Sequence, residues 1–245
     1  MSRVVVTGAT SGIGRAIVRG ARRAGHEVLA IGRRADRLAE LAAETGCETL
    51  AADVRELDTL AAAMDGFSPD VLVNNAGVAH GITGLTDVSA ADIQDATAVN
   101  IAAPIALTAH VLPGMKQRGT GHIVNIGSIA GIHTVNSALY GATKAAIHIF
   151  SQNLRSELSG TGLRVTEICP GRTESEIFDA AKGAGDKLEA FRSPGIRVLT
   201  PDDIADAVLW AVGTPDHVNV AMIEILPTDQ AIGGVSMKSP ERQNG

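Results

Sequence analysis

The sequence predicts an α/β protein: a single doubly wound parallel sheet of about seven strands, with helices on both faces. Three observations carry this. Seven short apolar runs recur along the 245 residues. They are near-continuous in apolar residues rather than alternating, as strands buried on both faces require. Ala-rich segments with helical spacing separate them, and strand alternating with helix builds a parallel sheet.

In chain order, strands are expected at 4–6 (VVV), 28–31 (VLAI), 49–52 (TLAA), 71–75 (VLVNN), 122–127 (HIVNIG), 164–169 (RVTEIC) and 222–226 (MIEIL). Helices are expected over 13–24, 34–44, 56–65, 89–117, 138–158 and 201–213. Asp36, Ser89 and Thr200 stand at cap-like positions, and Pro201 suits the first turn after Thr200. No linker interrupts the pattern, so one domain is expected over 1–232. The stretch 172–198 breaks the rhythm with Gly183, Gly185, Pro194, Gly195 and many charges. It reads as a substrate lid over the sheet edge. The polar tail 233–245 is expected to be poorly ordered.

Composition narrows the function. An apolar fraction of 45% allows a sizeable core, and a net charge of −6 argues against a nucleic-acid binder. Cys47 and Cys169 are far apart, and the seven histidines form no HxxxH or HExxH pattern, so no metal site is expected. The N-terminus lacks a signal-peptide layout. No apolar run approaches the ~20 residues of a membrane span, so no membrane association and a cytoplasmic location are expected.

Two motifs point to chemistry. TGATSGIG at 7–14 follows the first strand and opens a helix. Gly8, Gly12 and Gly14 permit a tight turn, and the backbone of Thr10, Ser11 and Ile13 can approach a pyrophosphate at the helix N-terminus. Tyr140 is the only tyrosine, and Lys144 stands four residues later. On a helix they share a face. A phenol with an ordinary pKa of ~10 beside an ammonium is expected to be shifted down, toward proton transfer.

With TGATSGIG come further segments in order: DV at 53–54, NNAG at 74–77, VN at 99–100, Ser128, YGATK at 140–144 and PG at 170–171. Together they resemble the short-chain dehydrogenase/reductase family over roughly residues 3–230. The resemblance implies a Rossmann-type fold and hydride transfer with a nicotinamide cofactor. It implies that Tyr140 is the acid/base and that Ser128 holds the substrate oxygen. By the same resemblance Lys144 holds the nicotinamide ribose and Asn100 anchors a water in a proton relay. Asp53 and Val54 should flank the adenine, and Asn75, Ala76 and Gly77 the ribose side. Pro170, Gly171 and Thr173 should complete the cofactor site.

The second strand ends in AIGRRADRL. An acidic residue at the strand end would bind a ribose 2′-hydroxyl, but that position is Gly32. Arg33 and Arg34 follow and suit a 2′-phosphate, so NADP(H) is expected. Asp36 lies too far along to replace Gly32. Within the family, GRRADRL, VLPGMKQRGTGHIVNIGSIAG and TPDDIADAVLWAV look most similar to NADP-dependent 3-hydroxy acid dehydrogenases. That implies a small 3-hydroxy acid, such as a serine-like compound, and its oxo acid or semialdehyde. A sulfonated, carrier-bound or larger neutral carbonyl is the alternative. So is a non-catalytic NADP-binding regulator, though such relatives typically lose the tyrosine or the lysine.

An acidic substrate needs a cation, and Arg172, directly after PG at the mouth of the site, is the first candidate. Arg192, Arg197 and His133 follow. Ile132, Val135, Ala138, Ile177 and Phe178 could shape the pocket. A carrier-docking patch is not evident: only Lys116 and Arg118 lie near the end of the 89–117 helix. The family usually assembles through its two long helices, so a homodimer or homotetramer is expected. Ala142, Ala145, Ala146 and Ile149 suit that packing.

Overall fold

Val4 and Val6 of β1 (Arg3–Thr7) face one core and Val5 faces another. The same split recurs in β4 (Val71–Asn74), where Val71 and Val73 oppose Leu72. Successive strand side chains point to opposite faces, and both faces are apolar here, so the sheet must be covered twice. Helices α1 (Gly12–Arg23), α2 (Ala35–Thr45) and α7 (Pro201–Val212) cover one side. Helices α3 (Leu57–Phe67), α5 (Ala103–Arg118) and α6 (Ala138–Glu157) cover the other. The coordinates are a computed structural model that describes residues 1–82, 84–135, 137–178 and 195–230.

All seven strands pair in parallel, in the order β3-β2-β1-β4-β5-β6-β7. The others are β2 (Glu27–Gly32), β3 (Glu48–Ala51), β5 (Gly121–Ile126), β6 (Leu163–Pro170) and β7 (Met222–Ile225). The chain runs outward from β1 to β3, then returns to β4 on the other side of β1. That reversal opens a crevice at the carboxyl ends of β1 and β4, where such sheets bind ligands.

Several expectations shift in detail. Asp36 is not a cap: Arg34, in extended backbone, precedes α2, and Asp36 sits in its first turn. Ser89 and Thr200 do cap. Each accepts from the amide three residues on, Asp92 or Asp203, whose carboxylate in turn accepts from the cap residue's own amide. The helix expected over 89–117 runs from Ala90 to Arg118 as α4 (Ala90–Thr97), a π turn (Ala98–Ala102) and α5.

That run, with mean hydropathy 1.4 over its most apolar window, is long and apolar enough to cross a membrane, which no uninterrupted apolar stretch foretold. Its buried Leu107, Val111 and Met115 nonetheless pack in the sheet-facing core, the place of a core helix. Thr83, Asn136, the middle of the expected lid (179–194) and the tail region 231–245 lie outside the described residues.

Candidate active site

The glycine loop closes on the strand beside it. Gly8 and Gly12 take positive φ of 68° and 49°, which other residues rarely adopt. A Cβ on Gly8 would stand 2.8 Å from the Ala76 Cα, and one on Gly14 would run into the Gly8 carbonyl. The Thr7 hydroxyl accepts from the amides of Asn75 (3.0 Å) and Ala76 (3.1 Å). Asn75 returns a bond to the Thr7 carbonyl at 2.9 Å. The loops after β1 and β4 are thus one rigid unit with backbone exposed to the crevice. Ser11, at the N-cap of α1, makes no side-chain capping bond, so the first-turn amides are left for a ligand. A dinucleotide pyrophosphate fits this cradle.

The adenosine end is built at β2. A Cβ on Gly32 would come within 2.6 Å of the Thr10 methyl, so the strand end is pressed against the glycine loop. Arg34 donates from Nε and Nη2 to the Thr10 hydroxyl (3.1 and 3.0 Å) and from Nη1 to Glu176 (2.9 Å). Arg37, one turn on, donates to both Glu176 oxygens at 2.8 Å. A carboxylate therefore sits between two guanidiniums beside the cradle, and the donor set suits a phosphate. The Arg33 side chain also lines the cleft, 68% exposed and 3.8 Å from the Asp53 carboxylate. Arg55 grips Asp53 and, with some help from Arg33, holds its carboxyl below the usual range.

The reacting end gathers at β5 and α6. Ser128 follows β5, and its side-chain oxygen accepts from the Ala130 amide at 3.1 Å. Lys144 is buried and donates to the Ile126 carbonyl at 2.8 Å. Burial pushes the Tyr140 phenol up to about 12, and a hydrogen bond with Ser128 opposes that rise. This reverses the expected downward shift, because desolvation of a phenolate outweighs the Ser128 hydrogen bond. Burial lowers Lys144 to about 8, against the pull of Cys169 and Glu167.

Asn100 lies in the π turn between α4 and α5. Its carbonyl accepts from the Val78 amide (2.8 Å), and its amide donates to the Val78 carbonyl (2.8 Å) and the Thr143 hydroxyl (3.0 Å). Thr143 in turn donates to the Tyr140 carbonyl. A π turn is often found at functional sites. Here it aims Asn100 at the back of Gly77, where a Cβ would sit 3.4 Å from the Asn100 oxygen and 3.8 Å from Lys144 Nζ.

All the expected site residues except Gly14 and Asn100 line one cleft of about 720 Å³. Gly14 lies under the loop and Asn100 behind Gly77. Arg172 lines the cleft too and is buried, and burial lowers its guanidinium to about 10. Its amide donates to Gln230, which also faces the cleft.

Val135 and Ile177 line the cleft as well, whereas Ala138 does not. Ile132 and His133 belong to a separate depression near β7, where His133 pairs with Glu224 at 2.7 Å. His133 thus does not line the cleft that holds Tyr140 and Arg172. Arg197 is exposed beside α7, and Arg192 and the Phe178 side chain lie outside the described residues.

Thr7, Arg37, Thr143, Glu176 and Gln230 were missed in the sequence. Arg37 had a weak signal, one helical turn from Arg34 on the same face. Glu176 and Gln230 had none, because their partners are distant in the chain.

The chain matches the short chain dehydrogenase family over residues 2–184. It belongs to that family. A relative from Salmonella typhi, an NADP-dependent 3-hydroxy acid dehydrogenase, is 41% identical over 243 residues, 96% of this chain and 98% of the relative. Among solved structures, the closed form of serine dehydrogenase complexed with NADP+ is 38% identical with a TM-score of 0.88, covering 96% of this chain and 99% of that one. Serine dehydrogenase from Escherichia coli is 37% identical with a TM-score of 0.80, covering 94% and 99%. The family member described here thus shares its seven-stranded parallel sheet with solved relatives at full length.

Proposed function

We propose that this short-chain dehydrogenase is an NADP(H)-dependent oxidoreductase that interconverts a small 3-hydroxy acid and its oxo acid or semialdehyde. The observation that carries it is the presence of Tyr140, Ser128, Lys144 and a buried Arg172 on one cleft, continuous with the glycine cradle. The names of the relatives, a 3-hydroxy acid dehydrogenase and serine dehydrogenase, support the substrate class.

The nicotinamide cofactor, when bound, supplies or accepts the hydride. Every other part belongs to the chain. Burial keeps Tyr140 protonated at neutral pH, so in reduction it donates its proton to the substrate oxygen. The Ser128 hydroxyl fixes that oxygen against the phenol. Lys144, anchored on Ile126, sets a positive charge beside the phenolate that forms and lies within reach of the ribose side. Asn100, held behind Gly77 by its bonds to Val78 and Thr143, is read as the anchor of a water that returns the proton. Arg172 pairs with the substrate's acid group, and a buried guanidinium does so more strongly than one in water. A sulfonate is the second anion this arginine suits.

We read residues 1–232 as one catalytic domain, with 172–198 as its lid and 233–245 as a tail. A cytoplasmic homodimer or homotetramer follows from the same reading. The exposed Ile93, Ile105 and Ile149 on α4, α5 and α6 support the assembly.

The test is NADP+ reduction by purified enzyme with 3-hydroxypropionate, serine, 2-hydroxyethanesulfonate and neutral secondary alcohols. Turnover of the acids is expected. Turnover of the neutral alcohols alone would discard the acid assignment.

A further inference from the structure

Glu176 occupies an unusual position for an acidic residue. It sits on the short turn Glu176–Phe178 after β6, yet its carboxylate reaches the arginines of α2, 142 residues away from Arg34 in sequence. Three contacts of 2.8–2.9 Å join it to Arg34 and Arg37. Arg34 is held in place by Thr10 of the glycine loop, so this ion pair bridges the cleft beside the cradle.

We propose that Glu176 competes with the 2′-phosphate of NADP(H) for Arg34 and Arg37, and so tempers the affinity for that cofactor while leaving NAD(H) unaffected. This rests on the cofactor reading above. A 2′-phosphate carries close to two negative charges and three acceptor oxygens, against one charge and two oxygens on the carboxylate. Two anions cannot share the same donor edges without strong repulsion. Arg34 turns Nε and one N–H of Nη2 to Thr10, which leaves Nη1 and the second N–H of Nη2 toward an anion, and Glu176 already takes Nη1. The phosphate therefore displaces the carboxylate. NAD(H), with a neutral 2′-hydroxyl, leaves the ion pair intact. The binding of the phosphorylated cofactor alone is thus coupled to release of the 176–178 turn from α2.

Calorimetric titration of wild-type and Glu176→Gln enzyme with NADPH, NADH, 2′,5′-ADP and 5′-AMP tests this at low salt. In Glu176→Gln, NADPH and 2′,5′-ADP are expected to bind about threefold to tenfold more tightly, the worth of one or two exposed ion pairs. NADH and 5′-AMP are expected to bind as in the wild type. The gain should shrink as salt is raised.

Unchanged or weaker NADPH binding in Glu176→Gln, with NADPH still preferred by the wild type, overturns the competition alone. A wild type that binds NADH but not NADPH overturns the cofactor reading and the competition with it. Equal tightening of NADH and NADPH also overturns it, since the effect would then be blind to the phosphate. Glu176→Ala, which removes the charge with a smaller side chain, should reproduce the result.

Discussion

The Lys144 ammonium lies 5.8 Å from the centre of the Tyr140 ring, one helical turn along α6, and is tied to the Ile126 carbonyl at 2.8 Å. Burial drives the two groups in opposite directions, the phenol up to about 12 and the ammonium down to about 8. The phenol is then a proton donor across the neutral range, and the lysine is the group that titrates near working pH. Because the folded value of Lys144 lies below the ordinary one, its charge is lost as pH rises through about 8. Carbonyl reduction should hold from pH 6 to 7 and fall above about 8. A kcat profile with no inflection between pH 7 and 9 would remove Lys144 from that role.

Tyr140→Phe keeps the ring and removes the proton. Turnover should drop by about 10²–10⁴-fold, the usual worth of a positioned acid, with NADPH binding nearly unchanged. Ser128→Ala should lower kcat by a smaller factor. Fluorescence titration with NADPH beside steady-state rates separates chemistry from binding.

Arg172→Ala should raise KM for a hydroxy acid by about tenfold or more, since a desolvated charge pair is lost. Neutral alcohols should be turned over as by the wild type. Equal loss on acids and neutral alcohols would mean that Arg172 supports the wall rather than the substrate.

Arg37→Ala should weaken NADPH binding by about tenfold through loss of charge-assisted contacts, with little effect on NADH. Arg33→Asp is expected to reduce the NADPH preference less, because the Arg33 side chain, though on the cleft, is 68% exposed and screened by solvent. A larger loss from Arg33 than from Arg37 in the ratio of Kd values would reverse this ranking.

His122 is buried in β5 and bonds the Thr166 hydroxyl at 2.8 Å. Burial lowers it to about 3, and Arg164 adds to the shift. The folded protein therefore keeps His122 neutral while the unfolded chain takes up a proton near pH 6.5. Stability should fall as pH drops below about 6.5 toward 3, by about 1.4 kcal/mol for each pH unit crossed. Urea melts at pH 7 and 5 should show this loss, and His122→Val should flatten the slope. An equal slope in the variant would assign the acid sensitivity to other groups.

The sheet was legible because its signal is local. Val4–Val6, or Val71–Val73, can be buried on both sides only in a covered parallel sheet, and TGATSGIG can only follow a strand and open a helix. Tyr140 and Lys144 were legible for the same reason, since four residues on a helix fix their shared face. The helix over 90–118 was legible in extent, but its π turn was not, because one extra residue in a helix leaves no pattern in residue type.

What the sequence by itself determined was the order of strands and helices along the chain and the residue types at each strand end. It thereby set the glycine cradle, the Tyr140–Lys144 pair and the positive charge after β2. Only the tertiary structure decided what those charges meet. It set Arg33 beside Asp53, brought Arg37 beside Arg34 and laid Glu176 between them. It buried Arg172, and it raised the Tyr140 phenol where adjacency to a cation predicted the reverse. The reason is physical: spacing along a helix or strand is a local property, while desolvation and ion pairing depend on which distant segments fold over the same cleft.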